Sequence, residues 1–189
     1  RYPGVSDIVF MSSRDGHDFH RWGEALIRPG PQPERWMNRN NFVACGVVTT
    51  ASQHPGTPEE LSLYSIEHYY RGEACRMRRY TLRLDGYASA RAQLAGGELT
   101  TKPFTFSGQR LTLNHATSAA GTVRVEVQDD AGRAVDGFAM AACDEIYGDD
   151  VERTVTWNGA AHVGALAGKS VRLRIFLADA DLYSLRFCE

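Results

Sequence analysis

The stretch "GTVRVEVQD" (121–129) constrains the fold most. Val123, Val125 and Val127 alternate with Arg124, Glu126 and Gln128, which is period two, the signature of a strand with one buried face. The same texture recurs along the chain. "DIVFMSS" (7–13), "FVACGVVTT" (42–50), "LSLYSIEHYY" (61–70), "CRMRRYTLRL" (75–84), "GFAMAAC" (137–143), "ERTVTW" (152–157), "KSVRLRIFLAD" (169–179) and "DLYSLRFC" (181–188) all read as strands. No stretch carries long helical periodicity. The expectation is an all-β protein.

Turn residues punctuate these strands. Asp15-Gly16 and Asp85-Gly86 suit tight hairpins, because Gly accepts the positive φ of such turns. "HDFHRW" (17–22) and "YASARA" (87–92) read as the returning strands. Pro29, Pro31 and Pro33 exclude regular helix and central strand from 24–36, so that segment reads as a long surface connection. The order of strand, strand, strand, Asp-Gly turn and strand over 36–92 matches one four-stranded β-propeller blade, with 42–50 innermost. Residues 7–22 then form the outer half of the preceding blade. After "AGGELTTKP" (95–103) short, evenly spaced strands suggest an antiparallel β-sandwich. The expected domains are terminal propeller blades over 1–95 and a sandwich over 96–189. Within the sandwich, Val123, Val125 and Val127 are expected to pack against a facing sheet that includes part of 171–187.

Composition narrows the function classes. Basic residues number 21 against 23 acidic, for a net charge of −2. That balance offers no excess to neutralise a phosphate backbone, so nucleic acid is not an expected partner. No apolar run approaches the roughly 20 residues of a membrane-spanning helix, so no membrane partner is expected either. Cys45, Cys75, Cys143 and Cys188 are widely spaced without a CxxC pair, which disfavours a zinc knuckle. Two disulfides and four thiols both fit that spacing. No His, Cys and Asp set has metal-ligand spacing, and no cofactor is expected. The chain begins at Arg1 and enters a strand pattern within seven residues, as expected of the C-terminal piece of a longer polypeptide.

The stretches "VFMSSRDGHDFHRW", "EALIRPG" and "RRYTLRLDGYAS" resemble the final blades of bacterial proteins related to family 32 and family 43 glycoside hydrolases, the five-bladed β-propeller fructosidases and arabinanases. "GELTTKPFTFSGQRLTLNHATSAAGTVRVEVQDDAGRAVDGFAMAACDEIYGD" resembles the C-terminal β-sandwich that follows such propellers. The resemblance implies hydrolysis or transfer of a glycosidic bond in a central pocket, a carbohydrate substrate, and an extracellular or periplasmic setting. The family's catalytic acids come largely from its early blades. "WMNRNN" (36–41) echoes the start of its Trp-Met-Asn-Asp-Pro-Asn-Gly nucleophile motif, but Arg39 stands where the nucleophilic Asp belongs. "GEAC" (72–75) is not the family's Glu-Cys acid/base motif. No catalytic residue carries over.

Glycoside hydrolysis generally needs two carboxyl groups flanking the scissile bond. Glu67 and Glu73 sit near one strand end, where carboxylates are ordinarily solvated. Binding chemistry is better represented. In a blade, the loops 36–42 and 68–74 open on the pocket face. Asn38, Arg39, Asn40 and Asn41 would then lie near His68, Tyr69 and Arg71, offering amide and guanidinium donors for hydroxyls and aromatic faces for sugar rings. Asn-rich segments also cap turns and satisfy backbone groups, so both readings stand. Two features of the second half are equally open. "DEIYGDD" (144–150) is either a calcium loop or a solvated connection, and Trp157 is either a sugar platform or a plug between sheets. Three functions follow: the terminal part of a propeller glycoside hydrolase together with the missing N-terminal part of the same protein, a carbohydrate-binding sandwich, or a sandwich that only braces the propeller.

Overall fold

The alternating valines lie on a strand of unusual length. In the computed structural model, which describes residues 4–189, Arg110–Gln128 is one 19-residue strand (β8) and Arg172–Cys188 one 17-residue strand (β10), and the two pair antiparallel along their length. All described sheets are antiparallel, and one is curled into a half-barrel. Two register shifts in β10, between Ala178 and Ala180 and between Leu182 and Ser184, bend this pair. Bulges of this kind sharpen local twist and bend a strand. At the first shift Asp179 takes φ 42° and the backbones close in on Gly121. A Cβ there would lie 2.4 Å from the Asp179 carbonyl oxygen, so only glycine fits.

The chain divides into two units, Arg1–Leu84 and Asp85–Glu189. In the second unit β8 and β10 are joined by Ala90–Ala92 (β6), Gly97–Thr100 (β7) and Asp149–Thr154 (β9), in the order β6-β10-β8-β9 with β7 also on β10. Val123, Val125 and Val127 are buried, as their alternation requires. Their partners differ from expectation. Residues 172–188 do not face them from another sheet. Leu177, Ile175 and Leu173 sit beside them in register on the adjacent strand. The layer above this core comes largely from connecting segments: Cys143, Ile146, Val155, Trp157, Val163 and Leu166 pack into the same cluster.

The segment after Asp85-Gly86 is a second departure. It turns, but Ala90–Ala92 pairs with Ala180–Leu182 and not with the strand before it. Ser184 donates to Asp85 at 2.6 Å and Ser89 to Asp181 at 2.6 Å, tying the turn to β10. Ala90 and Ala92 also rest against the hydrophobic cluster of the second unit. The boundary expected near residue 96 therefore falls after Leu84, and 36–92 does not form a four-stranded sheet.

The first unit contains a hairpin and a three-stranded sheet. Ile8–Ser13 (β1) and Phe19–Ile27 (β2) pair around the Asp15 turn, with Gly16 at φ 78°. Asp15 accepts the backbone N–H groups of His17 at 2.8 Å and Asp18 at 2.9 Å, which closes the loop. Pro33 opens a single 3-10 turn at Pro33–Arg35. Val48–Thr50 (β3), Glu60–Glu67 (β4) and Arg76–Arg83 (β5) form the sheet in that order. The apolar run at 42–50 does lie along β4, in two pieces. Residues 41–44 bond to it through Asn41 N–H to Ile66 O and Ala44 N–H to Tyr64 O, both at 2.8 Å, and β3 resumes at Val48 opposite Ser62.

Candidate functional site

β4 buries polar side chains on both of its faces, Ser62 on one and Ser65 and Glu67 beside Leu63 on the other. Ser62, Ser65 and Glu67 are each fully buried. Glu67 is the last residue of β4, directly opposite Arg76 across the ladder, with Arg78 on the same face two residues further along β5. Arg78 Nε reaches Glu67 Oε1 at 2.5 Å, Arg76 Nε reaches Oε2 at 3.3 Å, and Arg35 Nε reaches Oε1 at 3.1 Å. One carboxylate thus holds three guanidinium groups. Burial pushes the Glu67 carboxyl upward. The hydrogen bonds from Arg78 and Arg76 and the charges of Arg78 and Arg35 outweigh burial and hold it below its usual value.

Arg35 is itself buried, and its donors are placed internally. Nε also donates to Asn41 Oδ1 at 3.1 Å, Nη1 to Gln32 Oε1 at 3.3 Å, and Nη2 to Arg28 O at 3.0 Å and to the Tyr80 hydroxyl. This connects Glu67 to the asparagine segment. Asn41 Nδ2 donates to Ser6 O at 2.8 Å. Asn40 Oδ1 accepts the Tyr69 backbone N–H at 2.9 Å, while its Nδ2 points to the carbonyls of Glu34 and Met37, each at 3.4 Å.

The loops at 36–42 and 68–74 are thus adjacent, as the strand order requires, and Asn40 joins them directly. Within them the site residues fall into two sets. Asn40 and Asn41 have no exposed surface, and their amides serve the chain itself. Arg39, Tyr69 and Arg71 are exposed, and Asn38 and His68 are half-buried. The Arg39 guanidinium lies 5.8 Å from the Tyr69 ring centroid, and Tyr69 meets Tyr70 edge-on at 4.9 Å. Arg39, Asn41 and His68 adopt left-handed backbone, at φ 68°, 67° and 58°. Non-glycine residues hold that conformation where surrounding contacts over-determine it. The two buried asparagines supply those contacts.

Glu67, expected among solvated strand-end carboxylates, is instead fully buried. Only Glu73 of that pair is exposed. The signal lay in the hairpin: Arg76 and Arg78 are spaced by two, so both share the face of the residue opposite Arg76. Nothing in the local sequence marks Arg35, because Glu67 and Tyr80, two of its partners, lie far along the chain on β4 and β5.

In the second unit Trp157 is buried. Its Nε1 donates to Val125 O at 2.9 Å and Phe138 meets its ring at 5.1 Å, so it fills the core. In the acidic loop Asp144 Oδ2 accepts from Thr156 Oγ1 at 2.5 Å and Gly159 N–H at 2.8 Å. Among the described residues no group of three or more His, Cys, Asp or Glu side chains is placed to hold a metal ion, and no helix is long and apolar enough to cross a membrane. The four cysteines are free thiols, and burial pushes the Cys143 thiol up.

No family model, curated protein or solved structure matches the chain.

Proposed function

We propose that this chain is the C-terminal portion of a carbohydrate-active glycoside hydrolase. In this reading the first unit supplies terminal propeller blades that line one side of a sugar pocket, and the second unit, one sheet covered by connecting segments, is structural. The observation that carries the reading is where apolar surface lies. Among the described residues the first unit buries only Ile27 and Leu63 in an apolar core, yet it exposes eleven large apolar side chains, Met11, Phe19, Trp22, Trp36 and Met77 among them. The second unit buries 18 apolar residues and exposes three large ones, Leu94, Leu99 and Tyr147. A two-stranded hairpin and a three-stranded sheet with uncovered apolar surface are marginal alone. Sheets of the same kind, stacked as in a propeller, would cover them. The far edge of β5 carries no strand among the described residues, which leaves the fourth place of a blade open.

The exposed mouth fits a sugar better than it fits catalysis. Arg39, Tyr69, Tyr70 and Arg71 offer charged donors and ring faces. Glu67 is buried and held by three arginines, so it cannot flank a scissile bond. The catalytic carboxylates therefore belong to other parts of the parent protein. For the second unit, the buried Trp157 and the absence of an exposed aromatic row among the described residues favour bracing over carbohydrate binding.

Hydrolysis assays on the complete gene product and on the 189-residue chain test the reading. The complete product is expected to cleave a glycoside and the chain alone to cleave none. A complete product inert toward every glycoside, or activity in the isolated chain, contradicts it.

A further inference from the structure

The Glu67 cluster has more positive charge than its carboxylate balances. Three guanidinium groups meet one carboxylate, for a local balance of +2 (three positive, one negative). Arg35 is enclosed and its donors are used internally. Arg76 and Arg78 differ. Each touches Glu67 through Nε alone, and their side chains are 59% and 39% exposed. Their terminal nitrogens have no protein acceptor among the described residues. A buried carboxylate thus clips two exposed arginines by the inner nitrogen and leaves both outer forks available. Crowding like charges is unfavourable unless an anion joins them, and a fixed pair of guanidinium forks matches the oxygens of a carboxylate, sulfate or phosphate. Arg76 opens β5 directly after the loop that carries Tyr69, Tyr70 and Arg71.

We propose that Arg76 and Arg78, fixed by Glu67, bind an anionic group of the ligand, so that the sugar taken at this mouth is acidic: a uronate, or a sulfated or phosphorylated residue. This rests on the sugar-binding reading above and names the class of sugar.

The test is binding calorimetry on the complete gene product. Its ligands are an oligogalacturonate, the neutral galactose oligomer of equal length, a sulfated galactose oligomer and sodium sulfate. An acidic oligomer is expected to bind about tenfold more tightly than the neutral one, the scale of a charge-assisted hydrogen-bond pair. Preference for the uronate or for the sulfated oligomer identifies the anion. The paired substitutions Arg76→Gln and Arg78→Gln, made together with Glu67→Gln so that no buried carboxylate is left under-compensated, are expected to erase the preference while neutral binding persists. Arg76→Gln alone, at the more exposed position, is expected to reduce it with an unchanged melting temperature. Equal affinity for acidic and neutral oligomers, or a preference that survives both substitutions, overturns the inference and leaves the sugar-binding reading standing. Sodium sulfate binding that is insensitive to both substitutions, or no binding of any acidic ligand, also overturns it. Hydrolysis of glycosides by the same preparation judges the broader reading separately.

Discussion

Glu67 and Asn40 each hold parts of the chain that are distant in sequence. Glu67 joins β4, β5 and the 33–35 turn through Arg78, Arg76 and Arg35. Removing one partner of a buried ion pair leaves the other uncompensated and costs about 3–5 kcal/mol. Glu67→Ala is therefore expected to unfold the first unit, read by the fluorescence of Trp22 and Trp36, while the second unit keeps its own transition. The pH dependence follows from the lowered carboxyl. A carboxyl depressed below its usual value of 4.5 contributes stability that is present above that value and lost as pH falls through the lower folded one. Acid titration of the first unit should show this loss, and Glu67→Gln should flatten it. An acid limb unchanged in Glu67→Gln would contradict the assignment. Asn40→Ala removes the acceptor of the Tyr69 N–H and leaves buried groups unpaired, at a cost of about 1–3 kcal/mol. The expected result is a lowered denaturation midpoint. Both functions of an Asn-rich segment, ligand contact and backbone capping, were legible in "NRNN". Burial decided between them, and burial depends on Ser6, Glu34 and Arg35, which local spacing does not locate.

Single strands were legible from period-two patterns, and their partners were not. Residues 121–129 and 171–177 carry the same alternation, so lateral neighbours in one sheet and facing strands in two sheets satisfy the sequence equally. Register is settled by the two bulges of β10 and the close approach at Gly121. The Asp85-Gly86 turn was legible too. The direction of the chain beyond it was not, since it depends on Ser184 and on two small alanines that fit against a distant core. Two substitutions probe this element. Gly121→Ala places a methyl group within 2.4 Å of a backbone carbonyl; overpacking of this kind typically costs about 1–3 kcal/mol. Val125→Asp buries a carboxylate at a fully buried position, which falls in the range above about 4 kcal/mol reserved for the most disruptive changes. Calorimetry should show the second transition lowered in the first variant and abolished in the second. A Val125→Asp protein that melts like the wild type would remove β8 from the core.

At the scale of the molecule, the two units differ in how they are held together. The second is closed by an apolar cluster that spans its sheet and connecting loops. The first is held by a polar network around Glu67, and among the described residues it exposes eleven large apolar side chains and buries two. In the proposed reading the first unit is completed by further sheets of the same protein, while the second stands by itself. Amide hydrogen exchange, which reports local opening along the chain, tests this most directly when the 189-residue chain is compared with the complete gene product. Slow exchange is expected in β8 and β10 in both samples, with β1 to β5 exchanging fast in the isolated chain and becoming protected in the complete product. Protection of β1 to β5 in the isolated chain equal to that of β8 and β10, or no gain in the complete product, would contradict it.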